Sequence, residues 1–146
     1  MPIDVSIETP SKENFDEVFL LLKQLWPKKR LKKEKLKTIF IQGLHDPCYA
    51  FLVAKHDGKV VGFASLRVKR SFWDEGVSGY IDELVVDKRY RGKGIGKRLL
   101  EEIIRIARKM SCKRVELDSA SYRKRAHAFY RSQGFGTWSH LFSKDI

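Results

Sequence analysis

Apolar residues in the first third of the chain follow first the spacing of a strand and then the spacing of helices. Every second residue in 3–7 is apolar, which predicts a strand with one buried face. Apolar positions then recur every three or four residues over 15–26, and this pattern predicts an amphipathic helix that Pro27 ends. A second helical pattern runs to Gly43, with apolar positions at Leu31, Leu36, Ile39 and Phe40.

The middle of the chain contains two runs that are rich in apolar and β-branched residues. Residues 49–54 and 60–68 predict two strands, and the His-Asp-Gly-Lys sequence at 56–59 is typical of a tight hairpin turn. A loop at 71–78 follows and contains Trp73. This loop is long enough to overhang a site formed elsewhere in the chain.

A strand, a glycine-rich basic turn and a helix follow one another after this loop. Residues 80–86 predict a buried strand, residues 91–96 form the turn, and residues 95–110 have one apolar face. The first N–H groups of a helix lack partners in the chain, and the helix dipole adds positive potential there. Glycine also lets the backbone approach a phosphate closely. We therefore expect a phosphate site, surrounded by Arg91, Lys93 and Lys97.

The last part of the chain completes the predicted sheet. Residues 113–117 predict a strand, and the strand–helix–strand order implies a parallel pair joined by a right-handed crossover. A short helix ends at Gly134, and a strand-like run at 135–142 closes the chain. We therefore expect an α/β (α+β) fold in a single domain over residues 1–146, with a mixed central sheet of six to seven strands and helices on both faces.

Composition and charge narrow the function classes. The chain has 146 residues, no apolar run near the ~20 residues of a membrane span and no signal-peptide core, so we expect no membrane partner. Cys48 and Cys112 form no recognisable framework, and a cytoplasmic location is the expectation. The formal net charge of +12 leaves a nucleic-acid partner open, although we favour a solvated basic surface. A homodimer is left open as well.

Two common phosphate-binding patterns do not fit the glycine-rich turn. A P-loop needs four residues between its first glycine and a Gly-Lys pair that precedes Ser or Thr. Here Gly92 and Gly96 enclose three residues, and Arg98 stands where the hydroxyl is needed. The dinucleotide fingerprint needs G-x-G-x-x-G in the first strand–helix unit, whereas this turn is G-x-G-x-G and lies past mid-chain. Both classes are therefore disfavoured.

The turn instead resembles the acetyl-CoA-binding motif of the GNAT superfamily of N-acetyltransferases, Arg/Gln-x-x-Gly-x-Gly/Ala. Arg91, Gly94 and Gly96 match its fixed positions. The preceding strand carries an acidic pair, Asp82 and Glu83, which is also similar to the family. The chain order of strand, motif and helix strengthens this resemblance.

Residues 125–135 resemble the C-terminal motif of the same superfamily, Ala-x-x-Phe-Tyr-x-x-x-Gly-Phe. The matching positions are Ala126, Phe129, Tyr130, Gly134 and Phe135. One position departs from the family pattern, because Arg123 stands where many members have an asparagine that helps to hold the cofactor. The resemblance thus covers residues 80–135.

The resemblance implies direct transfer of the acetyl group from acetyl-CoA to a primary amine of a small molecule or protein, within a ternary complex. It also implies a bulged motif strand whose backbone holds the pantetheine arm, and a phenol at Tyr130 that protonates the leaving thiolate. Acetyl-CoA is the expected acetyl donor, and no metal is expected. The cofactor-binding residues implied are Leu84, Val85, Val86, Arg91, Gly92, Lys93, Gly94, Ile95, Gly96, Lys97 and Tyr130.

The base that deprotonates the amine is expected on the motif strand. Regular alternation would place Asp82 and Glu83 on opposite faces, and we favour Glu83, although a bulge can reverse that argument. Both stay candidate catalytic residues. Four histidines are alternative bases that we expect at the surface instead: His45, His56, His127 and His140. His45 and Cys48 have no second pair of metal ligands at matching spacing.

The acceptor site is expected beside the first two helices, which commonly wall it in the superfamily. Trp26 and Trp73 are the candidate substrate-binding residues. Residues 24–27, Gln-Leu-Trp-Pro, are similar to the corresponding part of aminoglycoside 6′-acetyltransferases. A polyamine, another small amine or a protein amine remains open as the acceptor. The alternative function is a regulatory or nucleic-acid-associated module that binds coenzyme A with little catalytic activity.

Overall fold

The structure is a computed structural model and describes residues 3–146. Its helices are α1 (Phe15–Leu25), α2 (Lys33–Leu44), α3 (Ile95–Lys109) and α4 (Lys124–Ser132). Its strands are β1 (Ser6–Glu8), β2 (Tyr49–His56), β3 (Lys59–Ser71), β4 (Gly76–Val86) and β5 (Cys112–Leu117). Short 3-10 turns precede α1 at Lys12–Asn14 and follow β4 at Lys88–Tyr90.

The five strands form one sheet in the order β1-β2-β3-β4-β5. Consecutive strands from β1 to β4 pair antiparallel, and α3 connects β4 to β5. The hairpin predicted at residues 56–59 is confirmed, because Asp57 and Gly58 adopt positive φ angles of 50° and 76° between the paired His56 and Lys59.

The prediction of six to seven strands is wrong, since the described residues contain five. The missing strand is the expected run at 135–142, which has no regular structure. A strand is fixed in register by a buried face, and beyond the half-buried Phe135 the large side chains of this run provide none. Those of Trp138, Leu141 and Phe142 are all exposed.

Helices cover both faces of the sheet, as the buried runs in β2 and β3 require. On one face, Phe40 of α2 stacks on Phe51 of β2 with ring centroids 5.4 Å apart, and Phe15 of α1 lies 5.5 Å from Phe40. Such aromatic pairs contribute about 1 kcal/mol each beyond the burial of their area. On the other face, a Cβ atom added at Gly62 of β3 would lie 2.9 Å from Leu99 of α3. A glycine at this position therefore lets α3 pack closely on the sheet.

The chain divides into two compact units, of which the first ends at Glu116 and the second comprises Leu117–Ile146. The second unit contains α4, which ends in a Schellman motif. Gly134 has a φ of 91°, its N–H donates to the Arg131 carbonyl, and the Phe135 N–H donates to the Tyr130 carbonyl. The rings of Phe135 and Tyr130 lie 5.7 Å apart, which supplies the apolar contact of that motif. The predicted helix end at Gly134 is confirmed.

Candidate functional site

A β-bulge in β4 decides where the two acidic side chains lie. Glu83 pairs with Ser65 of β3, but the next β3 residue pairs with Ile81, so Asp82 is the extra residue. Ser65 and Arg67 are two residues apart on β3 and share a face, and they bind the carboxylates of Glu83 and Asp82 respectively. The bulge therefore brings both carboxylates to the face that α1 and α2 cover, in place of the opposite faces that regular alternation predicts.

Glu83 is held by two hydrogen bonds to the same hydroxyl group. Ser65 Oγ donates to Glu83 Oε1 at 2.6 Å and accepts from the Glu83 backbone N–H at 3.0 Å. Ser65 itself is only 2% exposed. Burial raises the pKa of Glu83 above its ordinary value, the hydrogen bond from Ser65 opposes this shift, and the nearby negative charge of Asp82 adds to it. This carboxylate is thus a fixed group with increased proton affinity.

Asp82 is bound in a different way, by a charged side chain. The Nε and Nη2 atoms of Arg67 each donate to one oxygen of the Asp82 carboxylate at 3.1 Å. The same guanidinium lies over the ring of Tyr80, 4.9 Å from its centroid. A planar fork of this kind fixes a carboxylate strongly. Both oxygens of Asp82 are therefore engaged by Arg67.

A cavity of about 470 Å³ lies beside Glu83, between the sheet and the first two helices. Most of its wall is apolar and comes from Phe15, Val18, Leu22, Trp26, Leu31, Leu36, Ile39, Phe40, Phe51 and Phe63. Four cations also line it: Lys29, Arg30, Lys32 and Lys35. Among the described residues that line this cavity, Glu83 is the only carboxylate. Volumes of this size are typical of small-molecule sites.

The two predicted substrate-binding tryptophans lie in different places. Trp26 follows α1 directly and lines the cavity. Trp73 lies in the turn between β3 and β4, is 76% exposed and does not line the cavity. None of the four histidines lines it either. The ring nitrogens of His45 and His56 lie 3.0 Å and 2.8 Å from the carbonyl oxygens of Ile41 and Asp4.

The glycine-rich turn has the backbone that its sequence predicts. Gly92 and Gly94 have φ angles of 76° and 84°, in the left-handed region that favours glycine. Gly94 is the N-cap of α3, and the first intrahelical bond runs from the Arg98 N–H to the Gly94 carbonyl at 3.2 Å. The N–H groups of residues 95–97 precede that bond and are available to an anion. This region can hold a phosphate group.

The cations and strand residues near this turn differ in exposure. The Arg91 side chain is exposed and donates through Nε to the Val86 carbonyl at 3.0 Å, which ties the turn to the end of β4. Lys97 lies 3.9 Å from Glu101 on the exposed side of α3. Val85 is buried in the core, whereas the neighbouring Leu84 and Val86 are half-buried. A ligand along this strand would therefore contact mainly its backbone at Val85.

Three further residues that organise the first unit were not predicted as catalytic or binding residues. Ser65 and Arg67 bind the two carboxylates, and Gln24 accepts a hydrogen bond from the Lys88 N–H at 2.9 Å, which joins the end of α1 to the turn after β4. The sequence does contain a signal for the role of Ser65, since this serine lies within the apolar run of β3 and a buried hydroxyl group needs a hydrogen-bond partner.

Tyr130 lies on α4 in the second unit and is half-buried. Its ring contacts those of Phe129 and Phe135, with centroids 5.3 Å and 5.7 Å away. Burial raises the pKa of the Tyr130 phenol, and the positive charge of Arg123 opposes that shift. The phenol therefore keeps its proton at neutral pH and is a hydrogen-bond donor.

Residues 3–146 contain neither a cluster of metal ligands nor a helix that could cross a membrane. No group of three or more His, Cys, Asp or Glu side chains in that range is placed to hold a metal ion. No helix in the same range is long and apolar enough to cross a membrane. Cys48 and Cys112 are both free thiols. Burial raises the pKa of the Cys112 thiol.

Comparison with known proteins gives concordant results. The profile of the Acetyltransferase (GNAT) family matches residues 15–135. The chain is 31% identical to the aminoalkylphosphonate N-acetyltransferase of Salmonella typhimurium. That alignment covers all 146 residues of this chain and 94% of the relative. The chain is also 39% identical to the glucosamine 6-phosphate N-acetyltransferase of Trypanosoma brucei brucei. That alignment has 79 residues and covers 53% of this chain and about half (52%) of the relative.

A solved structure shares the fold at lower sequence identity. It is an aminoglycoside N-acetyltransferase in complex with CoA, with a TM-score of 0.87. The two sequences are 18% identical, and the alignment covers 98% of this chain and 95% of that one. At this identity the likeness concerns the fold alone. It places the five strands and four helices described above in an architecture found in a CoA complex.

Proposed function

Because the chain belongs to the GNAT acetyltransferase family, we propose that it moves the acetyl group of acetyl-CoA directly to a primary amine, with Glu83 as the base. The chain is an N-acetyltransferase, and its relatives act on small amines. Three observations on the Glu83 carboxylate support its proposed role. Its carboxylate has a raised pKa, is fixed by Ser65, and lines a cavity of a size suited to a small acceptor.

In the proposed reaction, the protonated amine binds with its ammonium group toward the Glu83 carboxylate. Glu83 accepts one proton, directly or through a water molecule, and the nitrogen lone pair attacks the thioester carbonyl carbon. The tetrahedral intermediate collapses, the C–S bond breaks and the coenzyme A thiolate leaves. The nitrogen loses its second proton, the thiolate accepts one proton, and Glu83 releases its proton to solvent, so the products are the amide, free coenzyme A and one proton. No covalent bond to the protein forms at any step.

Glu83 is a better candidate for the base than Asp82 because their partners differ. Arg67 engages both oxygens of Asp82 through a charged fork, whereas a neutral hydroxyl binds one oxygen of Glu83. Glu83 therefore keeps one oxygen for the amine or for a bridging water. The negative charge of Asp82 also raises the pKa of Glu83, so its role in this proposal is to tune the base.

The proposed acetyl-CoA site follows β4 into the glycine-rich turn. The N–H groups at residues 95–97 and the open backbone at Gly92 and Gly94 suit a pyrophosphate, and Arg91, Lys93 and Lys97 supply positive charge. The backbone of residues 84–86 is proposed to bind the pantetheine arm and to donate an N–H to the thioester oxygen. The bulge at Asp82 supports this proposal because it interrupts the regular ladder just before that segment.

Tyr130 is the proposed acid that protonates the departing thiolate. The raised pKa of its phenol supports this role, since the group carries its proton throughout the neutral pH range. We also propose a cytoplasmic location, which the two free cysteines support. Trp26 is proposed to form part of the acceptor wall because it lines the cavity. The role of Trp73 remains a prediction from the sequence.

The acceptors named in the relatives share an amine and differ in the rest of the molecule. Aminoalkylphosphonates and glucosamine 6-phosphate carry a phosphorus oxyanion, whereas aminoglycosides do not. We propose that this chain also acts on a small amine, since its cavity of about 470 Å³ suits a small molecule.

The proposed function is tested by measuring free-thiol release from acetyl-CoA with a panel of amines, while calorimetry measures acetyl-CoA binding to the same sample. We expect acetyl-CoA to bind and thiol release to depend on the added amine. Failure to bind acetyl-CoA would contradict the assignment of the glycine-rich turn. Binding without amine-dependent thiol release from any amine would contradict acetyl transfer and favour the regulatory alternative.

A further inference from the structure

The negative and the positive side chains that line the cavity beside Glu83 come from different elements of the fold. The carboxylate comes from β4, whereas the cations come from the connection between α1 and α2 and from the first turn of α2. All four cations are exposed, and most of the apolar wall is buried or half-buried, so the cations lie at the open end of the cavity. They are Lys29, Arg30, Lys32 and Lys35.

These four cations are available to a ligand. In the described part of the chain, no carboxylate lies within ion-pair distance of any of them. Lys33 shows the contrast, because it lies between Lys32 and Lys35 in the sequence and its ammonium group lies 3.0 Å from Asp16. The four cations that face the cavity thus have no competing carboxylate among the described residues.

We propose that the acceptor is a small amine that also carries an anionic group, either a phosphate, a phosphonate or a carboxylate, at the end of a short apolar body. This inference rests on the proposed function. The amine would lie at Glu83, the apolar body against the aromatic and aliphatic wall, and the anion among the four cations. Arg30 can bind an oxyanion through two parallel hydrogen bonds, and the lysines add point charges.

The same arrangement disfavours acceptors with several positive charges. A polyamine in the cavity would place its second ammonium group among four cations, where the lining offers no carboxylate other than Glu83. Like charges brought together in this way reduce affinity and give specificity by repulsion. A lysine-rich peptide meets the same repulsion. The cavity thus selects for an anion at one end and an amine at the other.

The test uses three amines that share a 3-aminopropyl group and differ in what it carries, a phosphonate, a methyl group or an aminomethyl group: 3-aminopropylphosphonate, butylamine and 1,4-diaminobutane. We expect kcat/KM for the phosphonate to exceed that for each of the other two at least about tenfold at low ionic strength, and the preference to fall as salt is added. Equal values for all three amines, or the highest value for 1,4-diaminobutane, would overturn the inference. The proposed function would survive either of those results, because acetyl transfer would still occur.

Single substitutions test whether the preference for the phosphonate depends on the cations that line the cavity. Arg30→Gln and Lys35→Gln are expected to raise KM for the phosphonate and to bring its kcat/KM toward that of butylamine. Lys37→Gln is the matched control, because Lys37 is exposed on α2 and does not line the cavity. A loss of preference in Lys37→Gln as large as that in the other two variants would contradict the assignment.

Direct binding separates this inference from the proposed reaction. Calorimetry with 3-aminopropylphosphonate alone should show binding to the wild-type protein and at least about tenfold weaker binding to the Arg30→Gln/Lys35→Gln double variant. If binding follows this pattern while no amine is acetylated, the anion site stands and the proposed reaction fails. If the phosphonate binds both proteins equally or neither of them, the anion site is wrong whatever the turnover.

Discussion

Glu83 shows how one neighbouring hydroxyl group tunes a carboxylate. Burial and the charge of Asp82 raise the pKa of Glu83, and the 2.6 Å hydrogen bond from Ser65 limits the increase. A base is most effective when its pKa lies near the working pH, so a partly raised pKa suits a glutamate that accepts a proton at neutral pH. Ser65 is therefore a positioning residue that also sets proton affinity.

Ser65→Ala removes a hydrogen bond that favours the charged form of Glu83. The pKa of Glu83 should rise further, so the acid limb of kcat/KM should move to higher pH and activity should fall first on the acid side. A pH profile of kcat/KM measures this shift. Ser78→Ala is the control, because Ser78 is an equally buried serine of β4. An unchanged profile in Ser65→Ala would contradict the role of Ser65.

Tyr130→Phe removes the proposed acid and keeps the ring contacts with Phe129 and Phe135. We expect turnover to fall by about 10²-fold, as for loss of a general acid, with little change in acetyl-CoA affinity. Thiol release and calorimetry measure the two quantities. Tyr122→Phe is the control on an exposed tyrosine of the same unit. Wild-type turnover in Tyr130→Phe would remove Tyr130 from the mechanism.

At the scale of single elements, the bulge in β4 and the turn before α3 contribute most to the candidate site. The turn depends on Gly94, whose φ of 84° places it in the left-handed region at the N-cap of α3. A Cβ atom added there would meet open space, so the fold leaves room for a side chain. That space is where the proposed pyrophosphate would lie.

Gly94→Asp should place a carboxylate against the proposed pyrophosphate and abolish acetyl-CoA binding while the protein still folds. Gly58→Asp is a matched control, because Gly58 has a φ of 76°, equally open surroundings and a position in the β2–β3 turn. Calorimetry compares the acetyl-CoA affinity of the two variants, and thermal unfolding compares their stability. Equal loss of affinity in both variants, or in neither, would contradict the phosphate site.

The sequence predicts local elements of this site better than it predicts their relation to one another. The turn at residues 91–96 and the helix end at Gly134 can be predicted from the sequence because glycine has a direct local effect on the backbone. The bulge at Asp82 is different. Its position depends on how β4 pairs with β3, and the alternation of β4 alone places the two carboxylates on opposite faces.

Long-range packing accounts for the remaining differences. Residues 135–142 have the apolar content of a strand, but Trp138, Leu141 and Phe142 are exposed and these residues form no strand. Trp26 and Trp73 were both candidate substrate contacts, and only Trp26 lines the cavity. The two tryptophans differ in their access to the cavity because the fold places Trp26 beside the sheet and Trp73 at a hairpin turn.

At the scale of the whole molecule, the raised pKa of Glu83 carries a cost in stability. Its native pKa lies above the ordinary value of 4.5, so the native state binds the proton more tightly than the unfolded state does. The free energy of unfolding therefore decreases as pH rises through 4.5 toward the native pKa of Glu83, and it stays lower above that pKa. A functional group here opposes the stability of the fold.

Glu83→Gln removes this titration and keeps a side chain that can accept the hydrogen bond from Ser65. The variant should be more stable than the wild-type protein at pH 7, and the difference should shrink at pH 4, where Glu83 is mostly protonated in both states. Urea unfolding at the two pH values measures the difference. A variant that is less stable than wild type at pH 7 would show that the charged form of Glu83 stabilises the fold.

The measurement that tests the central claim most directly is the pH dependence of acetyl transfer by Glu83→Gln. The account predicts that kcat/KM falls by about 10²-fold or more, that the acid limb of the profile disappears, and that acetyl-CoA affinity is unchanged. Glu101→Gln, an exposed position on α3, should behave as wild type. Wild-type turnover with an intact acid limb in Glu83→Gln would contradict the claim that Glu83 is the base.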